Sequence, residues 1–172
     1  RAAADADLVI AVGGDGTVRE AAAALAGGNA ALAIVPAGAG NDFARAAGIP
    51  AAPLDACMVA REGRTRAVDL GTVAWDGGEG ARRESFINIA GLGFDARVAA
   101  ARRYFTRLRG LPLYIAAVLR ALTGCQCARV RIRVPGREIE KRVLLVAAAN
   151  GCCFGGGLRI APDARFDDGL LD

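Results

Sequence analysis

Apolar positions in the first fifty residues come in short unbroken runs. Leu8–Val12 (LVIAV) is wholly apolar, and so is Ala31–Val35 (ALAIV). Such runs suit strands of a parallel sheet that are buried on both faces. Each gives way to a glycine-rich loop, Gly13–Thr17 (GGDGT) and Pro36–Gly40 (PAGAG), and then to a helix-forming stretch. Thr17-Val-Arg-Glu20 has capping-box spacing and Gly27-Gly28 supplies a stop, so the pattern predicts a helix over Thr17–Ala26. A short helix follows the second loop and closes at Gly48 and Pro50; a third spans Pro53–Glu62 before Gly63. Two successive strand, loop and helix units predict an α/β layer on a parallel sheet.

Beyond Arg64 the pattern changes. RAVDLGTVAW and RRESFINIAGLGF read as strands on either side of the turn-rich DGGEG, and Asp95–Arg109 and Leu111–Leu122 read as helices. In ARVRIRV, Val130, Ile132 and Val134 alternate with Arg129, Arg131 and Arg133; Pro135-Gly136 then turns the chain back into a strand over Ile139–Ala149. The expected division is an α/β domain over residues 1–65 and a β-rich domain with a helical insertion over 66–172.

Composition narrows the chemistry. The chain has 172 residues, 53% of them apolar, which is enough for one domain of ordinary size or two small ones. The net charge of +4 suits anionic ligands such as phosphate or acidic head groups, and is too weak to indicate nucleic acid. Histidine is absent, which excludes a His-based zinc site and a Ser-His-Asp triad. The five cysteines are odd in number and lack CxxC spacing, so reduced thiols in a cytoplasmic protein are expected. There is no signal-peptide pattern and no apolar run of bilayer-spanning length. The polar, alanine-rich opening and the mid-pattern stop at DDGLLD predict a fragment.

The glycines of GGDGT let a ligand approach the backbone at the start of a helix, where unpaired N–H groups and the helix dipole favour phosphate. Asp15 would repel a bare phosphate, so it implies an intervening cation or a bonded hydroxyl. The alternative is a tight strand-to-helix turn with Asp15 as a local cap. The spacing matches neither GxGxxG nor GxxxxGK[ST]. The second loop, carrying Asn41 and Asp42, lies at the carboxyl end of the next strand, where open α/β sheets collect ligands. Asn41 also suits a helix N-cap with Asp42 in the first turn.

GGDGT followed by PAGAGNDFAR resembles the diacylglycerol kinase catalytic-domain family, which includes bacterial lipid kinases and the sphingosine and ceramide kinases. VDLG (Val68–Gly71), FINIAGLGFDA (Phe86–Ala96), AAANG (Ala147–Gly151) and GGGLRIAPDARFDDGLLD (Gly155–Asp172) extend the likeness through nearly the whole chain. The resemblance implies a three-layer α/β nucleotide-binding domain, like that of NAD kinase and diacylglycerol kinase, followed by a β-sandwich-like domain, both incomplete here. It implies ATP and Mg²⁺ as cofactors and phosphoryl transfer to a lipid hydroxyl, with diacylglycerol as the leading acceptor. Gly13, Gly14, Asp15, Gly16, Thr17, Arg19, Ala39 and Asn41 then fall in the nucleotide site, and Asp15, Asp42 and Asp69 in an acidic catalytic network. Asp168 is implied as a side-chain ligand of a structural magnesium, joined by the backbone carbonyls of Arg165 and Leu170.

Two positions depart from the family pattern. Ala39 stands where the family has threonine, which removes a hydroxyl near the phosphates, and Arg19 stands where asparagine is frequent, which adds a cation. The family's first strand would precede Arg1 and its general base would follow Asp172, so the 172 residues alone are expected to be inactive. Arg102–Arg109 interleaves cations with Tyr104 and Phe105, which suits either an anionic lipid surface or a solvated helix face. A peripheral membrane contact and a homodimer are both compatible with the sequence. The rivals are a kinase of a soluble acceptor, such as an NAD kinase, and a non-catalytic nucleotide-binding regulator.

Overall fold

The structure is a computed structural model that describes residues 6–78, 80–108 and 110–172. The chain divides into two compact units, residues 1–90 with 149–172, and residues 91–148.

In the first unit, β1 (Leu8–Gly13) and β2 (Ala31–Pro36) pair in parallel from Leu8↔Ala31 to Gly13↔Pro36, so their glycine loops begin at the same level. Between them runs α1 (Asp15–Leu25); after β2 come α2 (Asp42–Ala46) and α3 (Pro53–Glu62). The core gathers Val18, Ile34, Phe43, Ala44, Ile87 and Phe166, with Phe43 and Phe166 meeting edge to face at 4.9 Å. α3 has the predicted bounds, with Pro53 in its first turn and Gly63 ending it at φ 69°.

Three expectations change here. The parallel strand β1 is covered on one face only: Ala11 is buried, whereas Leu8, Ile10 and Val12 on the opposite face are exposed. The capping box does not form. The helix starts at Asp15, because Gly14 in extended conformation (φ −95°, ψ −170°) is the N-cap and no side chain caps it. The predicted strand RAVDLGTVAW shortens to β3 (Gly71–Asp76), which forms a hairpin with β4 (Ala81–Phe86). Its first half is drawn elsewhere, the Asp69 N–H donating to the Phe166 carbonyl at 2.6 Å.

RRESFINIAGLGF is likewise two strands, β4 and β5 (Ile89–Gly93). The break falls at Ile87–Asn88, whose carbonyls turn to Asn150 and Gly151. The Ile87 carbonyl accepts from Asn150 Nδ2 at 2.8 Å, and the Asn88 carbonyl accepts the Asn150 and Gly151 N–H groups at 2.8 and 3.0 Å.

The second unit holds α4 (Phe94–Ala101), a 3-10 turn at Arg102–Tyr104, and α5 (Gly110–Leu122). The two helices bury Val98, Ala101, Ala117 and Ala121. The predicted helix over Asp95–Arg109 therefore stops early, and Arg109 itself lies outside the described residues. The Tyr104 ring lies 4.1 Å from the Arg120 guanidinium, which holds the turn back against α5. β6 (Ala128–Val134) and β7 (Arg137–Val143) form the hairpin expected around Pro135-Gly136. Its arginine stripe is paired across the strands, Arg129 with Glu140 at 2.6 Å, Arg131 with Glu138 at 3.1 Å and Arg133 with Glu138 at 3.0 Å. The strand expected over Ile139–Ala149 divides at Leu144 into β7 and β8 (Leu145–Ala149), because the Leu144 carbonyl accepts the Phe94 N–H at 3.0 Å. The chain then re-enters the first unit through the short hairpin of β9 (Cys153–Phe154) and β10 (Leu158–Arg159).

Candidate functional site

The parallel register of β1 and β2 sets the two glycine loops side by side, and backbone contacts lock them together. The Ala37 N–H donates to the Gly13 carbonyl at 2.9 Å. A Cβ on Gly38 would lie 2.3 Å from Gly14 Cα, so neither loop tolerates a side chain where they touch. Asn41, with φ 54°, closes the second loop on itself: its Oδ1 accepts the Gly38 N–H at 2.8 Å and its Nδ2 donates to the Gly38 carbonyl at 2.9 Å. Asn41 thus stands at the N-cap position of α2, while its side chain serves the loop.

Asp15 joins the loops a second time. Its Oδ1 accepts the Phe43 N–H at 3.0 Å, so the first loop's carboxylate caps the helix that follows the second. This explains an acidic residue among glycines: half of the carboxylate is engaged by the neighbouring turn. Gly40 sits between carboxylates, a Cβ there falling 3.0 Å from Asp15 Oδ2 and 3.3 Å from Asp42 Oδ2.

The mouth of the site is the start of α1. The Val18 N–H reaches the Gly14 carbonyl at 3.1 Å, and among the described hydrogen bonds none uses the N–H groups of Asp15, Gly16 or Thr17. A Cβ at Gly16 would meet nothing within 4 Å. Open backbone donors at a helix N-terminus, beside glycines, make a cradle for an anion. Ala39 is exposed in the adjacent bend. Arg19 is already paired, its Nη1 donating to Glu84 at 2.7 Å.

Asp42 and Asp69 hold distant segments by their backbone. Asp42, buried, accepts the Gly156 N–H on Oδ1 (2.8 Å) and Oδ2 (3.1 Å) and the Gly157 N–H on Oδ1 (2.9 Å), with Arg45 at 3.4 Å. Asp69 Oδ2 accepts the Gly169 N–H at 2.7 Å. Asp168 is exposed and forms an Asx turn, Oδ1 accepting the Leu170 N–H at 3.0 Å. The structure thus brings Asp15, Asn41 and Asp42 together around Gly38–Gly40, and Asp69 together with Asp168–Leu170. Asn150 had no role in the sequence reading. It is fully buried, and its Nδ2 joins the Asp69 carbonyl to that of Ile87, both at 2.8 Å. Its place in AAANG (Ala147–Gly151), a stretch shared with the family, was the available signal.

Comparison with known proteins matches this arrangement to one family. Residues 1–73 match the diacylglycerol kinase catalytic domain, and residues 88–172 match the YegS C-terminal NAD kinase beta sandwich-like domain. A Pseudomonas aeruginosa protein described as a probable lipid kinase, YegS-like, is 39% identical over 95% of this chain and 52% of its own length. A Mycobacterium tuberculosis diacylglycerol kinase is 36% identical over 96% of this chain and 53% of its own. A solved Bacillus anthracis structure described as a diacylglycerol kinase superposes with a TM-score of 0.71 at 29% identity, covering 98% of this chain and 53% of that one. The chain spans about half the length of these relatives.

Proposed function

The chain belongs to the diacylglycerol kinase catalytic-domain family, and on that premise we propose that the whole protein transfers the γ-phosphoryl group of ATP to a lipid hydroxyl, with diacylglycerol as acceptor. The observation that carries this reading is the open N-terminus of α1 where the two glycine loops touch. The N–H groups of Asp15, Gly16 and Thr17 bind phosphate oxygens, and the glycines let the chain of phosphates lie against the backbone. Phosphoryl transfer needs positioning and charge neutralisation more than covalent chemistry. Asp15 supplies positioning indirectly, by fixing one loop against the other. Asp42 and Asp69 do the same for the Gly155–Gly157 tip and the Asp168-Gly169 turn.

A divalent ion fits the second of these turns in donor chemistry. Asp168 offers an exposed carboxylate, and no described hydrogen bond uses the carbonyl of Arg165 or Leu170. Among the described residues no three acidic or cysteine side chains cluster, so an ion here takes carbonyls and waters as well, as Mg²⁺ does. Such an ion supplies charge neutralisation, and the chain's own part is to hold the oxygens.

A lipid acceptor places the protein at a membrane surface. Residues 91–148 carry twelve Arg or Lys against three Asp or Glu, and α5 exposes Ile115, Leu119 and Leu122 along one side. No helix among the described residues is long and apolar enough to cross a membrane. The test is a radiolabelled-ATP assay of the whole protein against diacylglycerol, a sphingoid base and NAD. Label in diacylglycerol supports the reading, and label in NAD alone refutes it. The 172 residues by themselves are expected to transfer none.

A further inference from the structure

Cys152 and Cys153 are adjacent in sequence, and their sulfurs lie 3.2 Å apart. Successive side chains of a straight strand point to opposite faces, so this approach depends on the bend at Gly151-Cys152 that precedes β9. Cys152 is half-buried and Cys153 is buried, so one thiol is open to small solutes while its neighbour is shielded. All five cysteines are free thiols, and Cys57 and Cys127 are exposed with no sulfur partner among the described contacts.

We propose that Cys152 and Cys153 are a modification site, a vicinal dithiol that a peroxide closes to a disulfide, and that closure loosens the β9–β10 tip from Asp42. The Cys152 thiolate attacks one peroxide oxygen and the O–O bond breaks, leaving a sulfenic acid and a hydroxide. The Cys153 sulfur then attacks Cys152 Sγ and displaces its hydroxyl group as water. Two thiols lose two electrons, and the peroxide ends as two waters. Burial first, then the neighbouring Cys152 and Asp42, push the Cys153 thiol up, so it keeps its proton and leaves the attack on peroxide to the more open Cys152. Adjacent Cα atoms stand about 3.8 Å apart, closer than the roughly 4.4–6.8 Å usual across a disulfide. The ring is therefore strained and easily reduced, as a reversible switch requires.

The backbone carries the consequence. The Cys152 carbonyl accepts the Ile160 N–H at 3.2 Å, the Cys153 carbonyl accepts Asn88 Nδ2 at 2.9 Å, and Cys153 pairs with Arg159 across the hairpin. An eight-membered ring rotates the peptide between the cysteines, so these bonds shift. The tip they support carries the Gly156 and Gly157 N–H groups that Asp42 holds.

The protein is treated with dilute hydrogen peroxide, its remaining thiols are blocked, and it is mapped by peptide mass, with amide exchange measured before and after. The peptide holding both cysteines is expected to lose two hydrogens, to regain them with dithiothreitol, and to be unable to do so in C153S. Exchange at Gly156 and Gly157 is expected to rise by about tenfold or more in the oxidised protein. Sulfinic acid or separate blocking of the two thiols without the cross-link overturns the site. A cross-link with unchanged exchange at the tip overturns the coupling. Neither readout depends on kinase activity.

Discussion

Replacing Asp42 by alanine strands the two N–H groups at the Gly155–Gly157 tip. The carboxylate takes three contacts from them, at 2.8, 3.1 and 2.9 Å. A hydrogen bond to a charged acceptor contributes about 1.5–3 kcal/mol, which puts the upper bound for two donors near 6 kcal/mol. Two features reduce this. Gly156 is exposed, so water replaces part of what is lost, and Arg45 is half exposed, so its ion pair adds little. The expected loss for Asp42→Ala is about 2–3 kcal/mol. Asp42→Asn provides the contrast. Both shorter bonds converge on Oδ1, so an amide oxygen there keeps them while the charge and the third contact go, costing about 1 kcal/mol. Urea unfolding measures both as shifts in midpoint at constant slope. An alanine variant within about 0.5 kcal/mol of the parent refutes the latch; so does an asparagine variant as damaged as the alanine one.

Other outcomes follow from the same geometry. Gly16→Ala meets open space in the first turn of α1, so stability holds or rises by about 0.5–1 kcal/mol, while calorimetry shows ATP affinity falling about tenfold or more. Gly38→Ala drives a methyl into the Gly14 backbone and costs about 1–3 kcal/mol in thermal unfolding. Asn150→Ala leaves the Asp69 and Ile87 carbonyls without their buried donor, a loss of about 2–4 kcal/mol by urea titration. The hydrogen bond from Arg103, then that from Arg120, lowers the Tyr104 phenol below its ordinary value. Its ultraviolet titration therefore begins at lower pH than that of free tyrosine, and Arg103→Ala moves it back up.

Much of this was legible in the residues, and the misses share a cause. The runs LVIAV and ALAIV gave both parallel strands, and Pro53 with Gly63 gave α3 to the residue, because chain-local rules decide them. The capping box failed because Gly14 caps the helix and Asp15 faces a turn that begins far along the chain. The strand breaks at Ile87–Asn88 and Leu144 come from partners such as Asn150 and Phe94, which a pattern of neighbours does not reveal. The glycine loops and their polar residues were visible as a candidate site. The targets of Asp15, Asp42 and Asp69 were not, since each carboxylate holds backbone N–H groups contributed by another segment.

The most direct test follows the backbone amides of the protein while a non-hydrolysable ATP analogue with Mg²⁺ is titrated in. If phosphate is gripped where the two glycine loops touch, the resonances of Gly13–Thr17 and Ala37–Gly40 shift first and furthest, with Gly16 among the largest. Shifts concentrated elsewhere, with Gly14 and Gly16 unmoved at saturation, would contradict that grip and the kinase reading built upon it.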